Sequence, residues 1–234
     1  YWVRLMRMNV HSHSLESPPM SLSEVNSFSR PQNPSPRSDE ILDMIRPTFA
    51  GKGFDGASMQ DLARAAGMSV GNFYRYFPSK AAIVEAIVMR DMAHIEQDFS
   101  EVILAPAPLS ELRLKLSHRL NDPNCAQDGV LWAEISAAAL RKPEVAQIVA
   151  QMETMVLSYL LTVFVRVTGL QDVEVARKYA PHAGLILMLV RGNAIQKAQE
   201  TALGHNHKTY GLTALIERQI QSTLDEISNV SDKN

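Results

Sequence analysis

Ser58-Met59-Gln60-Asp61-Leu62-Ala63-Arg64-Ala65-Ala66-Gly67-Met68-Ser69-Val70-Gly71-Asn72-Phe73-Tyr74-Arg75-Tyr76-Phe77-Pro78-Ser79-Lys80 holds three helix starts, two stops and a tight turn in one short run. Ser58 with Asp61 three residues on forms a capping box, in which a hydroxyl accepts the orphan N–H groups of a new helix and a carboxylate favours its positive end. The helix that starts there has Leu62, Ala63 and Ala66 as its apolar face. It stops at Gly67, the residue best able to take a positive φ at a helix C-terminus. Ser69 then caps a second helix from Val70 to Phe77. Burying Phe73 and Phe77, one turn apart, leaves Val70, Gly71, Asn72, Tyr74, Arg75 and Tyr76 facing outward or toward the rim. Pro78 breaks this helix and Ser79 caps the next.

Two short helices joined by a glycine-containing turn read as a helix-turn-helix, and the second has the composition of a DNA reader. From Ser69 to Lys80 there is no acid, and the only charges are Arg75 and Lys80. Ser69, Asn72, Tyr74 and Tyr76 add uncharged donors of the kind that meet phosphate oxygens. Gly71, near the helix start, lets the backbone approach a duplex. The competing reading is an ordinary helical hairpin whose aromatics are core.

The run Ile41-Leu42, Phe49, Gly53-Phe54, Ser58, Asp61-Leu62-Ala63, Ala66-Gly67-Met68-Ser69, Gly71-Asn72-Phe73-Tyr74, Tyr76-Phe77, Ser79-Lys80 resembles the N-terminal domain of the TetR/AcrR family of transcriptional regulators. The resemblance is strong over residues 38–92 and weaker beyond. It implies that Ser58, Asn72, Tyr74, Tyr76 and Lys80 touch DNA backbone, with Lys80 clamping a phosphate, and that Val70, Gly71 and Arg75 face base edges. The region around Leu131-Trp132-Ala133-Glu134 and Arg141-Lys142-Pro143-Glu144 looks like one C-terminal subtype of that family.

The rest of the chain suits a small reading head on a larger neutral body. With 234 residues, 46% of them apolar, it can bury one large core or two modest ones. The net charge of −2 excludes a globally basic nucleic-acid coat, so DNA affinity must come from a local patch. A single cysteine suits a reducing, cytoplasmic setting. The longest apolar run, Gly184–Val190, is too short to span a bilayer, so no membrane partner is expected. Residues 1–37 are rich in Ser and Pro and read as a disordered arm. Its Arg30 and Arg37 either reach a minor groove or are simply solvated. His11 and His13 lie in that arm without further ligands.

The expected architecture is all-α, about nine helices: a three-helix head over residues 38–84, a helical body for effector binding and dimerisation over 85–229, and a tail over 230–234. Ser38-Asp39-Glu40 starts the first helix, with Ile41, Leu42, Ile45 and Phe49 buried. Pro47 predicts a kink or an early end there. Ser79 to about Ser100, with Ile83, Ile87 and Val88 inward, links head to body. Further helices are expected at 109–120, 129–140, 143–168, 173–200 and 210–227, with Pro181 kinking or interrupting the fourth of these.

The body suggests two jobs. The segment around Gly184–Val190 is apolar on nearly every side, and with the last helix it offers Leu185, Met188, Leu189, Gly192, Leu212, Leu215, Ile216 and Ile220. By resemblance these pair with a second copy in a four-helix bundle, producing a homodimer and a palindromic operator; the alternative is monomer core. Trp132, Met152, Met155, Tyr159 and Phe164 either line an adaptable apolar pocket or are core. Glu134 either meets a cationic ligand or pairs with Arg141 or Lys142. His182, His205 and His207 are metal candidates only in isolation, against a bland role at a helix end or loop, and Cys125 lacks flanking bases to lower its pKa. No nucleophile elbow, phosphate loop, metal spacing or paired acids point to an enzyme, and no cofactor is implied. The function expected is a DNA-binding regulator, a repressor released from double-stranded DNA by a small-molecule effector. The rival is a helical adaptor that no longer binds DNA.

Overall fold

Arg37 and Glu40, ion-paired at 2.6 Å, begin α1 (Pro36–Gly56), which buries Ile41, Leu42, Ile45 and Phe49 completely. The computed structural model describes residues 36–203 and 211–228. Arg30, His11, His13, His205, His207 and the residues beyond 228 lie outside them. The chain stays helical through Pro47; the only non-helical residue within α1 is Gly53 (φ 72°, ψ 172°). Pro47 therefore does not end the helix as expected. It and Asp43, whose carbonyl loses its partner, are both exposed, so water can replace the missing N–H.

Eight helices follow: α2 (Met59–Ala65), α3 (Val70–Tyr76), α4 (Lys80–Leu104), α5 (Pro108–Asn121), α6 (Cys125–Ala139), α7 (Pro143–Thr168), α8 (Asp172–Leu203) and α9 (Leu212–Ser228). The described residues thus contain nine helices and no strand, an all-α fold. α1, α2 and α3 pack around Phe49, Phe54, Leu62, Phe73 and Phe77. α4, about 37 Å long at 1.5 Å per residue, buries Ile83, Val84, Ile87, Val88 and Met92 toward its start and Val102 near its end. It packs on α1 in the head and on α5 and α7 in the body, so one rigid element runs through both.

In the body α6 lies against α8 so closely that a Cβ on Gly129 would fall 2.0 Å from the Ala194 carbonyl oxygen. No other residue fits there, and the two backbones touch. α6 begins at Cys125, ahead of the expected Gly129, because Asp122 Oδ1 accepts the Asn124 N–H at 2.8 Å and turns the chain into the helix. α8 runs uninterrupted past Pro181, where the proline and Arg177, four residues earlier, are both exposed.

α7 is long and apolar enough by composition to cross a membrane, which the search for unbroken apolar runs did not anticipate. In the fold its Val145, Met152, Val156, Leu160, Val163 and Phe164 are buried against α4, α6 and α8. On α8 and α9, Met188 and Leu215 are 62% and 52% exposed, Leu185, Leu189, Leu212 and Ile216 are half-buried, and Gly192 faces open space. Ile220 departs from the expected dimer face. With Thr223, Leu224 and Ile227 it forms an inward stripe of α9 and is fully buried in the subunit's own core.

Candidate functional site

The capping box expected of Ser58 is present. Its Oγ accepts the Asp61 N–H at 3.1 Å, Asp61 Oδ2 accepts the Ser58 N–H at 3.1 Å, and the Ser58 hydroxyl donates to the same carboxylate at 2.6 Å. These bonds, with Lys52 at 2.9 Å, hold the Asp61 carboxyl well below the usual carboxylate range. The one acid within residues 58–80 is thereby paired with its own neighbours. Gly67 makes the turn at φ 64°, and Ser69 Oγ accepts the Asn72 N–H at 3.4 Å.

On α3 the burial follows the sequence reading residue by residue. Phe73 and Phe77 are buried, with ring centroids 5.5 Å apart. Val70, Gly71, Asn72, Tyr74, Arg75 and Tyr76 are all exposed, as are Ser58 and Ser69. Two tyrosines, a valine and an arginine thus stand in solvent on one short helix with no acid on it, although exposed aromatics are costly to leave in water. Lys80 is less available than expected. Its Nζ donates to the Phe54 carbonyl at 2.6 Å and the Asp55 carbonyl at 3.3 Å and lies 5.0 Å from the Phe54 ring centre. An ammonium has three donors, so one is left for a phosphate.

The head is tied to the body along α6. Glu134 Oε2 accepts the Phe54 N–H at 3.3 Å, the donor that the break at Gly53 would otherwise strand. A Cβ on Gly53 would sit 2.5 Å from that same oxygen, so glycine is required both by its φ and by the carboxylate against it. Glu134 therefore tethers the two parts, and it is not paired with Arg141 or Lys142. Those two hold Asp55, at 3.0 and 3.3 Å, and lower its pKa. A second junction joins Arg46 of α1 to Asp128 of α6 at 2.7 Å and to Asp91 of α4 at 3.7 Å, while Arg119 of α5 reaches Asp128 at 3.0 Å. Burial pushes the Asp91 carboxyl up against the opposing pull of Arg46.

Between α4, α5, α6, α7 and α8 lies an apolar cavity of about 180 Å³. Of the residues expected to line a pocket, Trp132 and Met152 do so. Tyr159 instead stacks on the lining residue Phe99 at 5.4 Å, Met155 packs on the core from its edge, and Phe164 is wholly buried against Tyr179. The sequence reading missed the cavity's cations, Lys115, Arg119 and Arg191. Lys115 and Arg119 lie one turn apart on α5 and Arg191 lies on α8, and only the fold brings the two helices together. His182 pairs with Glu226 at 3.2 Å, and no cluster of three metal-binding side chains occurs among the described residues. Cys125 is buried and its thiol pKa is raised by that burial, the reverse of what a reactive thiolate needs.

Comparison with known proteins agrees with this geometry. Residues 41–87 match the family model described as bacterial regulatory proteins, tetR family. The HTH-type transcriptional regulator UidR of Escherichia coli strain K12 is 30% identical over 114 residues, covering 47% of this chain and 56% of UidR. The HTH-type transcriptional repressor KstR2 of Mycolicibacterium smegmatis is 29% identical over 83 residues, 35% of this chain and 40% of KstR2. The chain thus spans about half the length of the curated relatives it matches. Among solved structures, Salmonella enterica GusR superimposes with a TM-score of 0.63 at 24% identity, covering 83% of this chain and 98% of GusR, and so shares the fold. The adaptor reading gains nothing from these relatives. The head, residues 41–87, thus matches the tetR family of bacterial regulatory proteins, and the chain shares the fold of GusR.

Proposed function

We propose that the protein is a dimeric DNA-binding transcriptional repressor, released from a palindromic operator by a small molecule held in the body cavity. The observation that carries the reading is the outer face of α3, where Val70, Asn72, Tyr74, Arg75 and Tyr76 stand exposed on an acid-free helix pinned from behind by Phe73 and Phe77. Arg75 and the N-terminal residues Val70 and Gly71 meet base edges in the major groove. Ser58, Ser69, Asn72, Tyr74, Tyr76 and the spare donor of Lys80 meet phosphates.

The exposed Met188 and Leu215, with Leu185, Leu189, Gly192, Leu212 and Ile216 beside them, supply the face that pairs with a second copy. The two heads then address half-sites about one or two helical turns apart. α6 supports the link between ligand and DNA, because the same helix carries Trp132 in the cavity and Asp128 and Glu134 on the head. A ligand that favours one position of α6 changes the spacing of the two α3 helices.

The test is selection of bound sequences from a random duplex library by the full chain, followed by a salt titration on the enriched sequence. The expected result is a palindromic consensus whose log affinity falls steeply with log salt, by about 0.9 for each phosphate contact. Absence of enrichment together with absence of binding at low salt overturns the reading.

A further inference from the structure

The body cavity is walled by apolar side chains, among them Phe99, Leu112, Trp132, Met152, Val156 and Ile186. The ionisable residues lining it are Asp98, Lys115, Arg119 and Arg191, and each has a partner of opposite charge within the subunit. Lys115 Nζ lies 2.7 Å from Asp98 and 2.6 Å from Glu101. Arg119 Nη1 lies 3.0 Å from Asp128, and Arg191 Nη1 is paired with Glu153. The two aromatic rings among those walls are engaged as well. The Arg191 guanidinium lies 5.6 Å from the Trp132 ring centre, and Phe99 stacks on Tyr159 at 5.4 Å.

A charged ligand therefore finds no counter-ion waiting for it. To enter, it gives up water for apolar walls, or it displaces a side chain from an existing ion pair and leaves that side chain's partner uncompensated, and either course is costly. A sugar or polyol is disfavoured too, since the walls would strand its hydroxyls. An apolar molecule loses nothing of this kind and gains about 25 cal/mol for each Å² withdrawn from water. The volume sets its size. An apolar cavity of about 150 Å³ accepts benzene, and this one has about 180 Å³.

We infer that the cavity binds an uncharged apolar molecule, one aromatic ring or a short alkyl chain in extent, and discriminates against organic acids and amines of the same shape. The inference rests on reading the cavity as the effector site and names the chemical class that the site selects. Lys115, Arg119 and Arg191 contribute to that selection by being already paired with carboxylates of their own subunit.

Calorimetric titration of the full chain without DNA decides the matter, using toluene, benzyl alcohol, benzoate and benzylamine as one-ring probes that differ in polarity and charge. Toluene is expected to bind at least about tenfold tighter than benzoate and benzylamine, because each of those leaves its charge unmatched in the cavity, and benzyl alcohol should fall between. Val156→Phe, which fills part of the cavity from one wall, is expected to abolish toluene binding. Benzoate or benzylamine binding as tightly as toluene in the unaltered protein overturns the inference, and so do no toluene binding at millimolar concentration and toluene binding undiminished in Val156→Phe. The comparison among the four probes needs no variant, so a misfolded Val156→Phe leaves it decisive. DNA is absent from the titration, so failure of the operator selection and failure of selectivity for the uncharged probe are separate results.

Discussion

The head and the body carry their functional groups in opposite ways. In the head most candidate DNA contacts lie on the outside of one short helix, within about two turns, and a neighbour in sequence is a neighbour in space. In the body the cavity is a space between five helices, and residues as far apart as Phe99 and Arg191 face it together. An outer face is written in local periodicity, whereas a cavity is defined by what packing leaves unfilled. The two parts share α4 and the contacts of α6, so each can also be perturbed through the other.

The adjacent pair Phe73 and Tyr74 separates structural from functional roles most sharply. Phe73 is fully buried, and Phe73→Ala is expected to destabilise the head by about 3–5 kcal/mol. Tyr74 is 46% exposed, and Tyr74→Ala is expected to change stability by less than about 0.5 kcal/mol while weakening DNA binding. Denaturant unfolding followed by duplex titration checks both. A Tyr74→Ala variant that unfolds as readily as Phe73→Ala would erase the distinction between the outer and inner faces of α3.

A smaller effect is expected where head and body meet. Glu134→Ala strands the Phe54 N–H, a donor in a residue only 3% exposed, at a cost of about 1–3 kcal/mol. Hydrogen exchange at the Phe54 amide should quicken, and DNA release by a bound effector should need more ligand, because α6 has lost one hold on the head. Unchanged exchange at that amide would leave Arg46–Asp128 and Asp55–Arg141 as the working connections.

These contrasts explain what could be read from the amino-acid order. Ser58, Gly67, Ser69, Pro78 and Ser79 mark helix ends through local chemistry, and all the corresponding helix limits agree with the fold to within a residue or two. The inward Phe73 and Phe77 and the exposed residues between them followed from a 3.6-residue period alone. Pro47 and Pro181 end neither of their helices, because exposure, a tertiary property, decides whether a proline inside a helix is tolerated. Ile220 was assigned to the wrong side of α9, since a stripe of apolar residues does not say whether its own subunit or another copy covers it. Glu134 was identified as an unusual acid, but its partner was a backbone amide about 80 residues away, freed by a glycine break that periodicity does not locate. Arg191 carried no signal at all, being one cation in the middle of a long helix.

The weakest expected effect lies at the second junction, where Asp91 stands against Arg46 and near Asp128. Desolvation raises the Asp91 carboxyl above its ordinary value, with Asp128 adding to the rise and Arg46 opposing it. A carboxyl whose folded pKa exceeds its unfolded value, about 3.9, binds protons more readily in the folded state. Its contribution to stability is therefore unfavourable when it is ionised at neutral pH and becomes less so as pH falls through the raised value. Asp91→Asn removes that penalty while Arg46 keeps Asp128 at 2.7 Å. The variant is expected to be as stable as the unaltered protein or up to about 1 kcal/mol more so at pH 7, with the difference narrowing toward acid pH. Thermal unfolding of both proteins across that range reads the sign. A variant less stable at neutral pH would mean that the 3.7 Å attraction to Arg46 outweighs burial. The junction would then be a three-membered ion pair that clamps α1 to both α4 and α6, instead of an Arg46–Asp128 pair with a misplaced acid beside it.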